Sequence, residues 1–156
     1  MKTKLLLTAV FVFIVNVVLF SQKSQIQDSK ITIQNAWARP AAKNANSAFY
    51  FILFNNSTKA DTLLGAETKV AEEAEIHESF KKDNDRMGMR PAGKLAIKPK
   101  SKFEFKPGGF HVMLLGVLKD LKIGDKIEAV LLFKYSGRIR IKAEVSDTPT
   151  AVETKN

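Results

Sequence analysis

The sequence predicts an all-β protein: one antiparallel β-sandwich domain behind an apolar leader. Three observations carry that expectation. From Ile31 onward the chain breaks into short runs rich in β-branched and aromatic residues, turn-forming pairs separate those runs, and nothing after Phe20 sustains a helical period. A length of 156 residues with 45% apolar and 26% charged residues suits a single globular core.

The leader comes first. Lys2 and Lys4 precede an apolar stretch from Leu5 to Phe20, interrupted only by Thr8 and Asn16. A basic start followed by such a run reads as a secretory signal, and it falls slightly short of the roughly 18 residues of a membrane span. Residues 1–21 are therefore expected to be a signal peptide or, left uncleaved, an anchor, and the protein to be periplasmic or otherwise exported. Residues 22–30 are polar and read as a linker, 31–146 as the sandwich, and 147–156 as a disordered tail.

The strand candidates then follow in order: Ile31–Ala38, Ala48–Phe54, Thr62–Ala66, Ala74–Phe80, Lys94–Ile97, Lys102–Phe105, Phe110–Leu115, Ile127–Lys134 and Arg138–Val145. Their number and spacing suit a sandwich or barrel. Pro107-Gly108 suits a type II turn, with proline fixing φ and glycine supplying φ > 0. Gly124-Asp125 and Ser136-Gly137 punctuate the last strands. In the final run Ile139, Ile141, Ala143 and Val145 alternate with Arg138, Arg140, Lys142 and Glu144, the period of a strand with one wet face.

Composition narrows the function. The formal charge of +9 is compatible with nucleic acid, an anionic membrane or an acidic protein. Export argues against nucleic acid and leaves membrane contact to the leader alone. The alternating lysines of Lys98-Pro99-Lys100-Ser101-Lys102 read as a solvated hairpin. With no cysteine in the chain, disulfides, thiolate ligands and lipidation of an N-terminal cysteine are all excluded. Any soft-metal site must use methionine and histidine.

Those residues are few and grouped. The histidines are His77 and His111; beyond the initiator the methionines are Met87, Met89 and Met113. All five fall between positions 77 and 113. In a strand His111 and Met113 share one face while Phe110, Val112 and Leu114 share the other, so an imidazole and a thioether project side by side away from the core. Met87 and Met89 sit in the polar stretch Asp85-Arg86-Met87-Gly88-Met89-Arg90-Pro91, a poor place for core methionines. Singly, each is more often core filler or a satisfied polar residue; together they make a donor set for a soft metal.

The spacing His77-x11-Met89-x21-His111-x-Met113 resembles the signature of periplasmic copper chaperones of the PCu(A)C family. Ala36-Trp37-Ala38-Arg39-Pro40, Met89-Arg90-Pro91 and Lys106-Pro107-Gly108-Gly109-Phe110-His111-Val112-Met113-Leu114 are similar too. The likeness runs from about Ile31 to Val145. It implies a cupredoxin-like, Greek-key sandwich, related in architecture to immunoglobulin domains, that binds Cu(I). It further implies supply of copper to an accepting protein, either cytochrome c oxidase during assembly of its dinuclear centre or another assembly chaperone. On that basis His77, Met89, His111 and Met113 take the ligand roles, with Met87 as an auxiliary. Two departures stand out: Glu78 and Ser79 follow the first histidine where many members carry methionine, and the tail lacks the His and Met that bind a second ion in some members. One copper per chain is expected.

This chemistry suits a carrier rather than an enzyme. Four neutral donors leave the charge of Cu(I) uncompensated, which eases hand-over; Arg86 and Arg90 add to that charge and Glu78 or Asp85 is expected to offset it. A blue-copper electron carrier needs a cysteine thiolate, and no nucleophile motif surrounds either histidine. The rivals are an adhesion-type sandwich without metal and a copper buffer without delivery.

Overall fold

The computed structural model describes residues 30–82 and 86–149. The leader, the expected 22–29 part of the linker, Asp85 and residues 150–156 of the expected tail lie outside the described residues. All nine expected strands form, and a tenth joins them: β1 Ile31–Ala38, β2 Ser47–Asn55, β3 Asp61–Thr68, β4 Ala71–Lys81, β5 Met87–Pro91, β6 Leu95–Ile97, β7 Ser101–Phe105, β8 Phe110–Val117, β9 Lys126–Phe133 and β10 Gly137–Val145. Among the described residues there is no helix, and so none long and apolar enough to cross a membrane.

Hydrogen bonds link the strands in the order β5-β4-β8-β7-β2-β1-β10-β9-β3-β6. Pairing is antiparallel except for short parallel contacts of β1 with β10 and of β7 with β8. β2 pairs β8 through Ser47–Phe49 and β7 through Phe51–Asn55. The strands surround one core: Phe49, Leu53, Val112 and Leu114 from one half pack with Leu63, Ile97, Leu131 and Val145 from the other, each 0–1% exposed. β10 alternates as its sequence predicts, Ile141, Ala143 and Val145 buried between exposed Arg140, Lys142 and Glu144.

β5 was not expected as a strand, because a Met-Gly-Met-Arg-Pro run carries neither β-branched residues nor alternation. It forms as an edge strand, where glycine and proline are tolerated, and its register on β4 runs from Lys81↔Met87 to His77↔Pro91. Gly88 suits the place, since a Cβ there would lie 2.9 Å from the Phe80 ring.

A bulge in β1 matters more for the site. The register on β2 shifts between Gln34 and Trp37, with Asn35 at φ 53°, a conformation asparagine tolerates better than most residues. One extra residue flips every side chain that follows to the other face. Ile31 faces the core before the bulge; after it Ala38 does, and Trp37 turns outward to join Ala48 and Tyr50 in a second apolar cluster.

Candidate metal centre

Strand parity and register bring all five sequence-predicted residues to one outer face, four of them close together. On β4, Ile76 enters the core, so His77 and Ser79 point outward. His77 stands directly opposite His111 of β8, their ring centroids 5.9 Å apart. Met113, two residues along β8, faces outward while Val112 and Leu114 fill the core. On β5, Met89 is opposite Ser79, one same-face step from His77. Met87 is opposite Lys81, a step further out. At about 3.4 Å per residue, Met89 is offset from the His77–His111 pair by about 7 Å along the strands and Met87 by about 14 Å. Both methionines are more than half exposed.

The outer face is not open to water at His111. Its side chain is buried, with 3% exposed. Tyr50 of β2 flanks it, 6.1 Å between ring centroids, and Trp37 lies 4.6 Å beyond Tyr50. An open pocket of about 390 Å³ adjoins this wall, lined by Arg39, Tyr50, Ser79, Met89, His111 and Met113 among others. His77 is not among the lining residues, although it stands opposite His111. Sequence reading missed Tyr50, and noted the Trp37-Ala38-Arg39 stretch without giving it a role; only the bulge in β1 and the β2–β8 register show why these residues belong here.

The hydrogen bonds of the two rings bear on metal binding. His111 Nδ1 lies 3.1 Å from the carbonyl oxygen of Gly109. A carbonyl only accepts, so Nδ1 carries the proton and Nε2 keeps a lone pair. The turn before β8 sets this contact: Gly109 N–H donates to Lys106 O at 3.0 Å, with Gly108 at φ 75°, as the Pro107-Gly108 pair predicts for a type II turn. His77 Nε2 lies 2.7 Å from a Glu75 carboxylate oxygen, and His77 Nδ1 is buried without a hydrogen-bond partner. A buried nitrogen left bare is unfavourable unless something fills the position.

Burial pushes His111 below the usual histidine range and repulsion from His77 adds to this, against the opposing Gly109 bond. The ring is thus held neutral, the form that ligates metals. Burial likewise raises Tyr50, although the neighbouring Arg39 opposes it by charge and hydrogen bonding. Of the two acids named from the sequence, Glu78 does not face the site. Glu78 has the opposite parity to His77 and pairs with Arg90 at 2.9 Å on the other face, and Asp85 lies outside the described residues. Glu75, which shares the face of His77, places a carboxylate at the site. Among the described residues no three His, Cys, Asp or Glu side chains gather as a metal cage. The thioethers that line the pocket with His111 are those of Met89 and Met113.

A family model described as "Putative lipoprotein LpqE-like" matches residues 31–145. A protein of Leifsonia xyli subsp. xyli (strain CTCB07), described as a "Putative lipoprotein", is 25% identical over 81% of this chain and 76% of its own length. An uncharacterized protein of Rickettsia prowazekii (strain Madrid E) is 30% identical over 71% of this chain and 64% of its own. Among solved structures, the apo PCuAC domain from PmoF1 is 29% identical with a TM-score of 0.63, covering 75% of this chain and 93% of that one. The solution structure of CuI-DR1885 from Deinococcus radiodurans is 25% identical with a TM-score of 0.57, covering 81% and 85%. The fold is that of the PCuAC domains, and with the family model spanning every strand from β1 to β10 the chain belongs to the LpqE-like family.

Proposed function

We propose that this protein is an exported copper chaperone that carries one Cu(I) on His77, Met89, His111 and Met113. The observation that supports this most is the shared face of β5, β4 and β8, on which two imidazoles, each with one nitrogen free of a proton, stand between two thioethers. Soft thioether sulfur and neutral imidazole favour Cu(I) over harder cations, and none of the four must lose a proton to bind. The CuI form of DR1885 supports the choice of metal. Lipoprotein descriptions among relatives support export, as does the basic and apolar leader.

The site is graded in a way that suits a carrier. His111 is buried and His77 is partly buried, whereas Met89 is 58% exposed on an edge strand. An accepting protein would meet Met89 first and could replace it with its own ligand while the histidines still hold the ion. No ligand is anionic, so the bound cation is only partly compensated and exchange is not opposed by a strong thiolate bond. The recipient we propose is the assembling dinuclear copper centre of cytochrome c oxidase, on the strength of the sequence signature.

Anaerobic titration with Cu(I) against a chromophoric chelator tests the reading. One Cu(I) per chain is expected, with competition abolished in the variant carrying His77→Ala and His111→Ala. Failure to take copper from the chelator would leave the metal-free sandwich as the better description. Mixing the loaded protein with an apo dinuclear-copper domain then separates delivery from buffering.

A further inference from the structure

We infer that Glu75 is a positioning residue that decides through which nitrogen His77 binds the metal, an inference that rests on the copper reading above. Glu75 precedes His77 by two residues and so shares its face of β4, and its Oε2 lies 2.7 Å from His77 Nε2. A carboxylate accepts and does not donate, so Nε2 holds the proton and has no lone pair to offer. Nδ1 is then the nitrogen left to ligate, and it is the one that is buried and unpartnered. His111 is fixed in the opposite sense, because the Gly109 carbonyl holds the proton on Nδ1 and leaves Nε2.

The two histidines thus offer different nitrogens from directly opposed positions. Nδ1 lies close to its own backbone and Nε2 at the far end of the ring, so an ion bound to both sits nearer β4 than β8. Glu75 also brings negative charge next to an otherwise neutral ligand set. Outer partners of this kind orient a ligand ring and raise its basicity, and losing one commonly weakens metal affinity by about 10–100-fold. Glu75 stands opposite Met113 in the β4–β8 register, which keeps it beside the site while its oxygen is engaged by His77.

Nuclear magnetic resonance of the nitrogen-labelled full chain tests this, with Ag(I) as a soft, diamagnetic stand-in for Cu(I). In the apo protein the His77 ring should carry its proton on Nε2, in slow exchange with water. On adding Ag(I), silver coupling should appear at His77 Nδ1 and His111 Nε2. Glu75→Ala should remove the protected Nε2 proton, move silver coupling wholly or partly to His77 Nε2, and lower Cu(I) affinity about 10–100-fold while the apo unfolding curve stays in place. Glu75→Gln, whose amide oxygen can accept the same proton, should restore Nδ1 ligation and part of the affinity. Coupling at His77 Nε2 in the wild type would overturn the inference and leave the copper reading intact, as would a Glu75→Ala variant with unchanged ligation and affinity. A wild type that keeps the protected proton yet binds neither Ag(I) nor Cu(I) would overturn both.

Discussion

Met113 and Leu114 are neighbours on β8 that face opposite sides of the sheet, so one small change at each separates the site from the fold. Leu114 is 0% exposed and packs in the core with Phe49 and Val112. Leu114→Ala removes three buried carbon atoms, about 2.4 kcal/mol at about 0.8 each, and the unfilled cavity brings the loss to about 3–4 kcal/mol. For a domain of this size that is about 12–16 °C in melting temperature, at about 4 °C per kcal/mol. Met113→Leu keeps most of the side-chain volume at a partly exposed position and should cost less than about 1.5 kcal/mol. Copper should respond in the reverse order. Met113→Leu deletes a thioether and should abolish most of the metal-induced rise in melting temperature, because a ligand stabilises only the state it binds. Leu114→Ala should keep that rise. Apo and Cu(I)-loaded thermal unfolding of both variants measures all four quantities. If apo Met113→Leu unfolds as early as Leu114→Ala while the latter loses copper, the two faces have been assigned the wrong way round.

Further outcomes follow from other parts of the site and fold. Met89→Leu should weaken Cu(I) binding far more than Met87→Leu, since Met87 is one same-face step further from His77; equal losses in a chelator competition would refute that register argument. His111 should titrate below the usual histidine value when followed by ring resonances. The stability it contributes by staying neutral is therefore present above about pH 6.5 and falls as the pH drops below that. Asp61 is buried and accepts backbone N–H groups from Thr62 at 2.7 Å, Tyr135 at 3.0 Å and Ser136 at 2.9 Å. Burial acts to raise its carboxyl, but hydrogen bonding by the Ser136 side chain first, and then by these backbone groups, outweighs it and leaves the carboxyl below the ordinary range. Asp61→Ala should cost about 2–4 kcal/mol by orphaning the turn between β9 and β10. The wild-type advantage should be present above about pH 4 and disappear as the pH falls through the lowered value, which chemical denaturation at several pH values can follow.

Much of this architecture was legible because strand periodicity is local. The alternation in Arg138–Val145 and Phe110–Leu114 gives the face of each residue directly, and Pro107-Gly108 gives the turn that orients Gly109 toward His111. β5 was not legible, since an edge strand held by pairing with β4 needs no β-branched residues of its own. The outward turn of Trp37 was hidden for a different reason. Simple alternation from Ile31 would place Trp37 on the core side, and only the extra residue at the Asn35 bulge reverses it. Burial of His111 depends in turn on Tyr50, a neighbour 61 positions away in the chain that the β2–β8 register brings alongside. Glu75 was within reach of the sequence: it shares the parity of His77, whereas Glu78 does not.

X-ray absorption at the copper edge of the Cu(I)-loaded protein tests the four-ligand assignment most directly, because it counts nitrogen and sulfur donors separately. The expected spectrum is that of Cu(I) with two imidazole nitrogens and two thioether sulfurs, losing one sulfur in Met89→Leu and one nitrogen in His77→Ala. A first shell of oxygen and nitrogen alone, or one unchanged by Met89→Leu, would contradict it.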